Sequence, residues 1–280
     1  MNKYIKCINY LISKKTQQIA HYNKNIFQHS INIYDKLRKW GRKEDLCYAG
    51  LFHSVYKIET DRSVIKNLIG SKAESLVYQY NQDKNQNKNT RIISLAKRLD
   101  DDMILIFDNC IDKQEIDTNY FYFRDLVSWN FTGSAKYETK WRKFNYTLKF
   151  KYKIEKKLKK QTENILKEMH IFDILKLEKT YASANPYGTV HESHVDYFEN
   201  LNSKGGVTVM YYLNNFWNFN FAGETVFYDK YNQDMLKSIL PKPGRITLFD
   251  GSIEHCARDV RRDLNDLRIV LTFKYKIYLD

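Results

Sequence analysis

Three prolines and four cysteines are all that the 280-residue chain contains, and nowhere do about 18 apolar side chains follow one another. Each scarcity excludes something. Long disordered linkers are Pro-rich and apolar-poor, so the few prolines and a hydrophobic share of 43% argue for a chain that builds a core. The missing apolar run excludes a membrane-spanning helix. Cys7, Cys47, Cys110 and Cys256 are scattered without a CxxC spacing and read as reduced, structural thiols. The opening stretch MNKYIKCINYLISKKTQQIA has a basic start but neither an extended apolar centre nor a small-residue cleavage site. Its apolar spacing predicts an amphipathic first helix. A cytoplasmic protein without membrane partners is expected.

Acidic charge is the other shortage, and it is local. Residues 1–118 carry 20 Lys+Arg against 14 Asp+Glu, residues 119–170 carry 13 against 5, and residues 171–280 carry 13 against 14. The excess concentrates in KFKYKIEKKLKKQTENILKE, where Tyr152, Ile154, Leu158, Ile165 and Leu166 suit a helix with one buried stripe. A polybasic helix can bind phosphates. Lysines outnumber arginines 34 to 12, however, in a chain also rich in Asn, Ile and Tyr. A solvated face with snorkelling lysines is therefore the favoured reading, with nucleic acid the lesser alternative.

What is present is a dense set of chemistry-bearing residues between Thr180 and Lys276. Apolar, β-rich runs at Val207–Leu213, Thr225–Tyr228, Ile246–Phe249 and Ile269–Tyr275 follow one another between Gly, Asn and Pro turns. Many short strands with turns between them suggest a sandwich or jelly roll. Side chains alternate along a strand, so His194 and Asp196 of YGTVHESHVDYFEN can face one interior with Val195 turned away. An isolated His-x-Asp is also compatible with a solvated pair at a strand end. A second imidazole from a later strand, His255, completes two histidines and a carboxylate, a ligand set that leaves coordination positions open and marks non-haem Fe(II) oxygenases.

The motifs HVD at 194–196, VTVMYYLN at 207–214, GET at 223–225 and PKPGRITLFD at 241–250, with His255 and the Arg268 strand, occur in one order. In that order residues from about 141 to 280 resemble the 2-oxoglutarate- and Fe(II)-dependent dioxygenases, in their prolyl-hydroxylase-like branch. The resemblance implies a double-stranded β-helix with iron at its mouth, held by His194, Asp196 and His255. It implies that Arg268 grips the far carboxylate of 2-oxoglutarate, a planar bidentate task for which guanidinium is well shaped, and that Tyr211 and Tyr181 hydrogen-bond the same group. Ascorbate is an accessory cofactor it allows. Two departures stand out. Val270 occupies the position, two after the arginine, where many relatives have Ser or Thr, and the interval from His255 to Arg268 is longer, with Arg258, Arg261 and Arg262 inside it. Arg268 heads an apolar strand pattern and is preferred for the carboxylate; Arg261 and Arg262 read as a solvated loop. A carboxylate in the metal set favours hydroxylation over halogenation. His191, Glu192 and the loop 197–204 lie beside the ligands, at a candidate substrate entrance or on an exposed loop.

Residues 1–118 read as helical, with breaks near Gly41, Gly70 and the run NQDKNQNKNT at 81–90. The segments HYNKNIFQHSINIYDKLRKWG and EDLCYAGLFHSVYKIE, extended by LIGSKAESLVYQY at 68–80, resemble helical domains related to the HD-domain metalloproteins. There, histidines from separate helices converge on a metal, which makes His21, His29 and His53 candidate ligands of a second ion. The aspartate that should follow the second-helix histidine is Ser54 here, with Glu59 and Asp61 nearby. Hydrogen-bonded core histidines are the plainer account, and a scaffold or substrate-recruiting role the expectation. Between the halves, Tyr120 to Phe123, Trp129 and Trp141 supply a core or a domain interface.

The expected architecture is thus α+β in two domains, an all-α HD-like helical domain over 1–117 and a jelly-roll oxygenase domain over 118–280. The expected function is hydroxylation of an unactivated C–H bond, with succinate and CO2 released, on a small molecule or a protein side chain. The alternatives are a non-catalytic jelly-roll binding module, or metal chemistry in the helical half. A barrel of this kind does not fix the substrate.

Overall fold

The computed structural model describes residues 2–21, 24–82, 88–101, 104–132, 143–169, 171–189, 192–196, 205–229 and 234–277. Its first part is helical: α1 (Lys3–Ser13), α2 (Ile26–Lys39), α3 (Glu44–Leu51), α4 (Arg62–Ile69), α5 (Ser71–Gln82) and α6 (Lys88–Asp101). The sequence supplies the ends. The Asn25 side chain accepts from the Gln28 amide at 2.8 Å, Asp61 caps α4 in the same way, and Lys36, Arg38 and Lys39 fill the last turn of α2, where the helix dipole favours cations. This part is not wholly α as expected, because β1 (Ala20–His21) and β2 (Lys24–Asn25) form a two-residue ribbon ahead of α2.

The chain then gives β3 (Ile104–Phe107), α7 (Lys113–Phe121), a π-helical turn at Tyr122–Leu126, β4 (Asn130–Thr132), β5 (Lys143–Thr147) and α8 (Lys153–Glu168). Seven further strands follow: β6 (Leu175–Asn185), β7 (Gly206–Tyr212), β8 (Thr225–Asp229), β9 (Asp234–Ile239), β10 (Ile246–Asp250), β11 (Glu254–Ala257) and β12 (Arg268–Ile277). One antiparallel sheet has the order β3-β10-β7-β12-β6-β5-β4, and a smaller one β11-β8-β9. β3 lies in a stretch whose reading was helical. Its ILIF run is too short to make an amphipathic helix of its own, and pairing along β10 satisfies its backbone. The sheet thus recruits a strand from upstream of residue 117.

Alternation along the central strands sorts the chemistry. On β12, Ile269, Leu271, Phe273 and Tyr275 join a core shared with the helices, including Ile33, Leu37, Phe52, Leu158 and Leu166. Val270 packs on the opposite face with Met210, Tyr212, Phe249 and Ile104, against Phe227 and Ile239 of the small sheet. This second cluster is the barrel interior, and Arg268, Thr272 and Lys274 share its parity. Helix α8 covers the outer face through Leu158 and Leu166, whereas Tyr152, expected in its buried stripe, is 57% exposed at the helix start.

Helices and barrel meet directly. The Lys36 ammonium of α2 donates to the buried Asp250 carboxylate at the end of β10 at 3.0 Å. Trp40 lies on Gly205, where φ is +71° and an added Cβ would come within 2.1 Å of the indole.

Candidate metal centre and cosubstrate pocket

The local backbone builds the metal set before any side chain does. His194 and His255 form an antiparallel bridge, each amide donating to the other's carbonyl at 3.0 and 2.9 Å. Two residues on, the Asp196 amide donates to the Gly251 carbonyl at 2.8 Å, tying the HVD segment to the turn that leads from β10 into β11. The extended alternation expected of His194 and Asp196 is therefore imposed by pairing with the segment that carries His255. The imidazole rings lie 4.6 Å apart between centroids. His194 Nε2 is 3.7 Å from Asp196 Oδ1, and His255 Nε2 is 3.9 Å from Asp196 Oδ2.

The three groups offer ligand atoms that all lie within 4.8 Å of one another, the one such group among the described residues. Donor atoms at about 2.0–2.2 Å from a common ion stand roughly 3–3.5 Å apart, so a small inward movement closes the set. The ring orientations suit it. His255 Nδ1 lies 2.8 Å from the Ile253 carbonyl and His194 Nδ1 3.3 Å from that of Glu192, contacts in which Nδ1 is the donor and Nε2 is left to bind. Phe227 and Phe249 wall in the His255 ring, with centroids at 5.7 and 4.8 Å. Burial depresses the His255 pKa, against the opposing pull of Asp196, which favours the neutral imidazole that a ligand must be. For Asp196 burial alone would raise the carboxyl, but His255, the Lys274 ammonium and the Thr208 hydroxyl outweigh it and hold the group below its usual range. Thr208 donates to Oδ2 at 2.6 Å and Lys274 donates to Oδ1.

Arg268 stands on the same interior, 2% exposed. Its Nε donates to the Gly223 carbonyl at 2.5 Å and its Nη2 to the Thr225 hydroxyl at 2.8 Å. Gly223 has φ of +76°, and a Cβ there would press on Val260 at 2.9 Å and on the Arg268 side chain at 3.2 Å, so glycine lets the carbonyl approach. Among the described residues no carboxylate pairs with this guanidinium within 4 Å. A buried charge without a counter-charge is costly, and a dianion entering from the metal side would compensate it. Arg261, by contrast, pairs with Asp263 on the surface at 3.0 Å.

The tyrosines differ from expectation. Tyr211 points away from the pocket, and its hydroxyl meets that of Thr162 on α8 at 2.9 Å. The cause is parity: Tyr211 sits opposite Leu271 on the helix-facing side, whereas Tyr212 sits opposite Val270 on the interior. Tyr212 is the tyrosine beside Arg268, its ring 5.6 Å from the guanidinium and its hydroxyl 2.8 Å from that of Thr225. Tyr181 lies inside but pairs with Thr272, toward Lys274 and away from the Arg268 end. Tyr212, Thr225, Thr208 and Lys274 were all missed in the sequence. Counting in twos from Arg268 reaches Lys274, and Thr208, the one aliphatic hydroxyl of β7, shares the parity of Met210 and Tyr212 on the interior face. His191 and the loop 197–204 lie outside the described residues.

The N-terminal histidines do not converge. His21 and His29 lie 4.0 Å apart between ring centroids, His29 and His53 5.0 Å, and His53 and Tyr80 5.8 Å. They make no group of three ligand atoms of the kind found at the barrel mouth. Glu59, a candidate carboxylate, is engaged by Lys14 at 2.8 Å and by the Tyr10 hydroxyl at 2.7 Å.

The fold and the donor set have the form that a non-haem iron oxygenase barrel requires. Residues 182–275 match the 2OG-Fe(II) oxygenase superfamily. A prolyl hydroxylase from Trichoplax adhaerens, in complex with a peptide of the hypoxia inducible factor oxygen degradation domain, has a similar fold. It is 18% identical, with a TM-score of 0.52, over 71% of this chain and 96% of that one. A Pseudomonas putida prolyl-4-hydroxylase is 15% identical over 65% and 96%, with a TM-score of 0.51. The non-heme alpha ketoglutarate dependent epimerase SnoN from nogalamycin biosynthesis is 12% identical over 65% and 81%, with a TM-score of 0.50. At these identities the likeness is one of fold. No curated protein matches the chain significantly. The C-terminal part is accordingly a 2-oxoglutarate-dependent dioxygenase domain, with Fe(II) as its metal and 2-oxoglutarate as its cosubstrate. Residues 10–82 match a domain of unknown function (DUF6817), which lends no support to the expected HD-like kinship.

Proposed function

We propose that the protein hydroxylates an unactivated C–H bond of a small molecule or a protein side chain, with 2-oxoglutarate converted to succinate and CO2. The observation that carries this reading is a buried arginine, without a carboxylate partner among the described residues, on the same barrel interior as a His-Asp-His set. His194, Asp196 and His255 would hold Fe(II), the histidines by Nε2 and the aspartate by its carboxylate. With 2-oxoglutarate as cosubstrate, that metal would supply the oxidant for C–H cleavage. Arg268 orients the cosubstrate by its far carboxylate, with Tyr212 and Thr225 adding hydroxyls and fixing the guanidinium plane. Thr208 keeps the Asp196 carboxylate turned by holding one oxygen, and Phe227 and Phe249 exclude water from the His255 side. The helices of residues 1–117 serve the barrel of residues 118–280 as a scaffold or substrate-recruiting unit, and β3 is lent to the sheet from upstream.

The test is direct. Purified protein loaded with Fe(II) is expected to convert 2-oxoglutarate to succinate, followed by proton NMR, and His194→Ala to stop it. A protein that binds neither Fe(II) nor 2-oxoglutarate would be a non-catalytic jelly-roll module instead.

A further inference from the structure

Two lysines stand where an ordinary barrel wall needs none. Lys274 projects from β12 into the mouth, its side chain 15% exposed, and donates to the carboxylate of Asp196. Directly opposite it across the strand pair is Lys179 of β6. Like charges facing one another across antiparallel strands destabilise the pair, so their retention asks for something between them. Tyr181, on the same wall, lies 5.2 Å from the Lys179 ammonium and 5.6 Å from that of Lys274, measured to its ring centroid. The three side chains make a small cationic corner with a phenol hydroxyl, beside a metal ligand and far along the strand from Arg268.

Charge balance gives the corner its meaning. Without metal, the Lys274 ammonium is compensated by Asp196. A divalent ion takes over that carboxylate, and the dianionic cosubstrate offsets the ion, with one of its carboxylates committed to Arg268. The single carboxylate of Asp196 then faces two interior cations, Arg268 and Lys274, and the rim lysine adds a third. A half-buried ammonium left in that state lacks a counter-charge.

We infer that Lys274 and Lys179, with Tyr181, form the substrate's oxyanion subsite, so that the molecule hydroxylated carries a carboxylate or phosphate placed next to the reacting C–H bond. This rests on the iron-site reading above. The ammonium groups bind and orient the anion, and the metal-bound Asp196 keeps only the hydrogen bond that Thr208 donates.

The experiment uses the whole protein loaded with Mn(II) and 2-oxoglutarate under argon, so that nothing turns over. Metal and cosubstrate binding are first followed by the Mn(II) electron paramagnetic resonance signal; their failure would sink the iron-site reading and not this one alone. Two matched probe pairs are then titrated calorimetrically: N-acetyl-glutamate methylamide against N-acetyl-glutamine methylamide, and glucose 6-phosphate against glucose. The charged member of one pair is expected to bind at least about tenfold tighter than its neutral partner, the size of one charge-assisted hydrogen bond, and which pair responds separates carboxylate from phosphate. Lys274→Met should bring that ratio close to one, Lys179→Met on the exposed rim should lower it about threefold, and Lys274→Arg should restore part of it. Equal binding of both members in the unaltered protein, no binding of any probe, or a ratio that survives both methionine variants would each overturn the assignment.

Discussion

The protein holds two groups of histidines, and they differ in what surrounds them. At the barrel mouth two imidazoles share a carboxylate, their Nδ1 atoms are occupied by backbone carbonyls, and their Nε2 atoms turn to one point. In the helical part three imidazoles neighbour one another pairwise through His29 without offering a set of three close ligand atoms. His53 is 1% exposed, its Nδ1 meets the Gly50 carbonyl at 2.8 Å, and its Nε2 has no hydrogen-bond partner among the described residues. Burial, with His29 adding to it, lowers the His53 pKa to about 3. Counting histidines does not distinguish a ligand set from a core group. A nearby anion and the convergence of lone pairs do.

The largest effect should come from breaking the first group. His255→Ala or Asp196→Ala is expected to remove Fe(II) binding, a greater loss than the roughly 10–100-fold that follows removal of an outer partner of a metal site. Metal analysis should find one ion per chain, unchanged in His29→Ala; two ions would make the helical group a second site. Next comes the cost of burying His53 neutral. Its folded pKa lies below the unfolded one, so the unfolded chain takes up the proton first. Stability is complete above about 6.5 and is lost as pH falls toward 3, by roughly 4–5 kcal/mol over the window. Urea melts at stepped pH should show this slope in the parent and a shallower one in His53→Gln.

Lys36→Met leaves the Asp250 carboxylate buried without its cation and should cost about 3–5 kcal/mol, with Asp250→Asn in the same chain recovering part of it. The smallest effect separates adjacent tyrosines. Tyr212→Phe should weaken 2-oxoglutarate binding up to about tenfold, whereas Tyr211→Phe should leave it unaltered and lower stability by about 1 kcal/mol through the lost contact with Thr162.

Much of this was legible from the sequence. The strand runs at β7, β8, β10 and β12 read correctly because each is apolar and bounded by turns, and α1, α2 and α3 because their apolar residues recur at helical spacing. The three side chains at the barrel mouth were legible through their order. What did not read was parity and partnership. Two adjacent tyrosines in a strand buried along its whole length give no sign of which faces inward until β12 is laid beside them, and β3 shows its nature only against β10. The expected convergence of His21, His29 and His53 on separate helices came from the HD-like resemblance, whereas His21 lies on β1, His29 on α2 and His53 just past the end of α3.

The contact of Trp40 with Gly205 has a practical side. The indole occupies the volume that any side chain at that position would need, and Gly205 leads straight into the strand carrying Thr208 and Tyr212. Shortening the chain to its barrel alone would strip the roof from that strand and expose a greasy patch next to Asp250. Efforts to express the catalytic half by itself should therefore yield insoluble material, and the helices are best regarded as one wall of the reaction vessel.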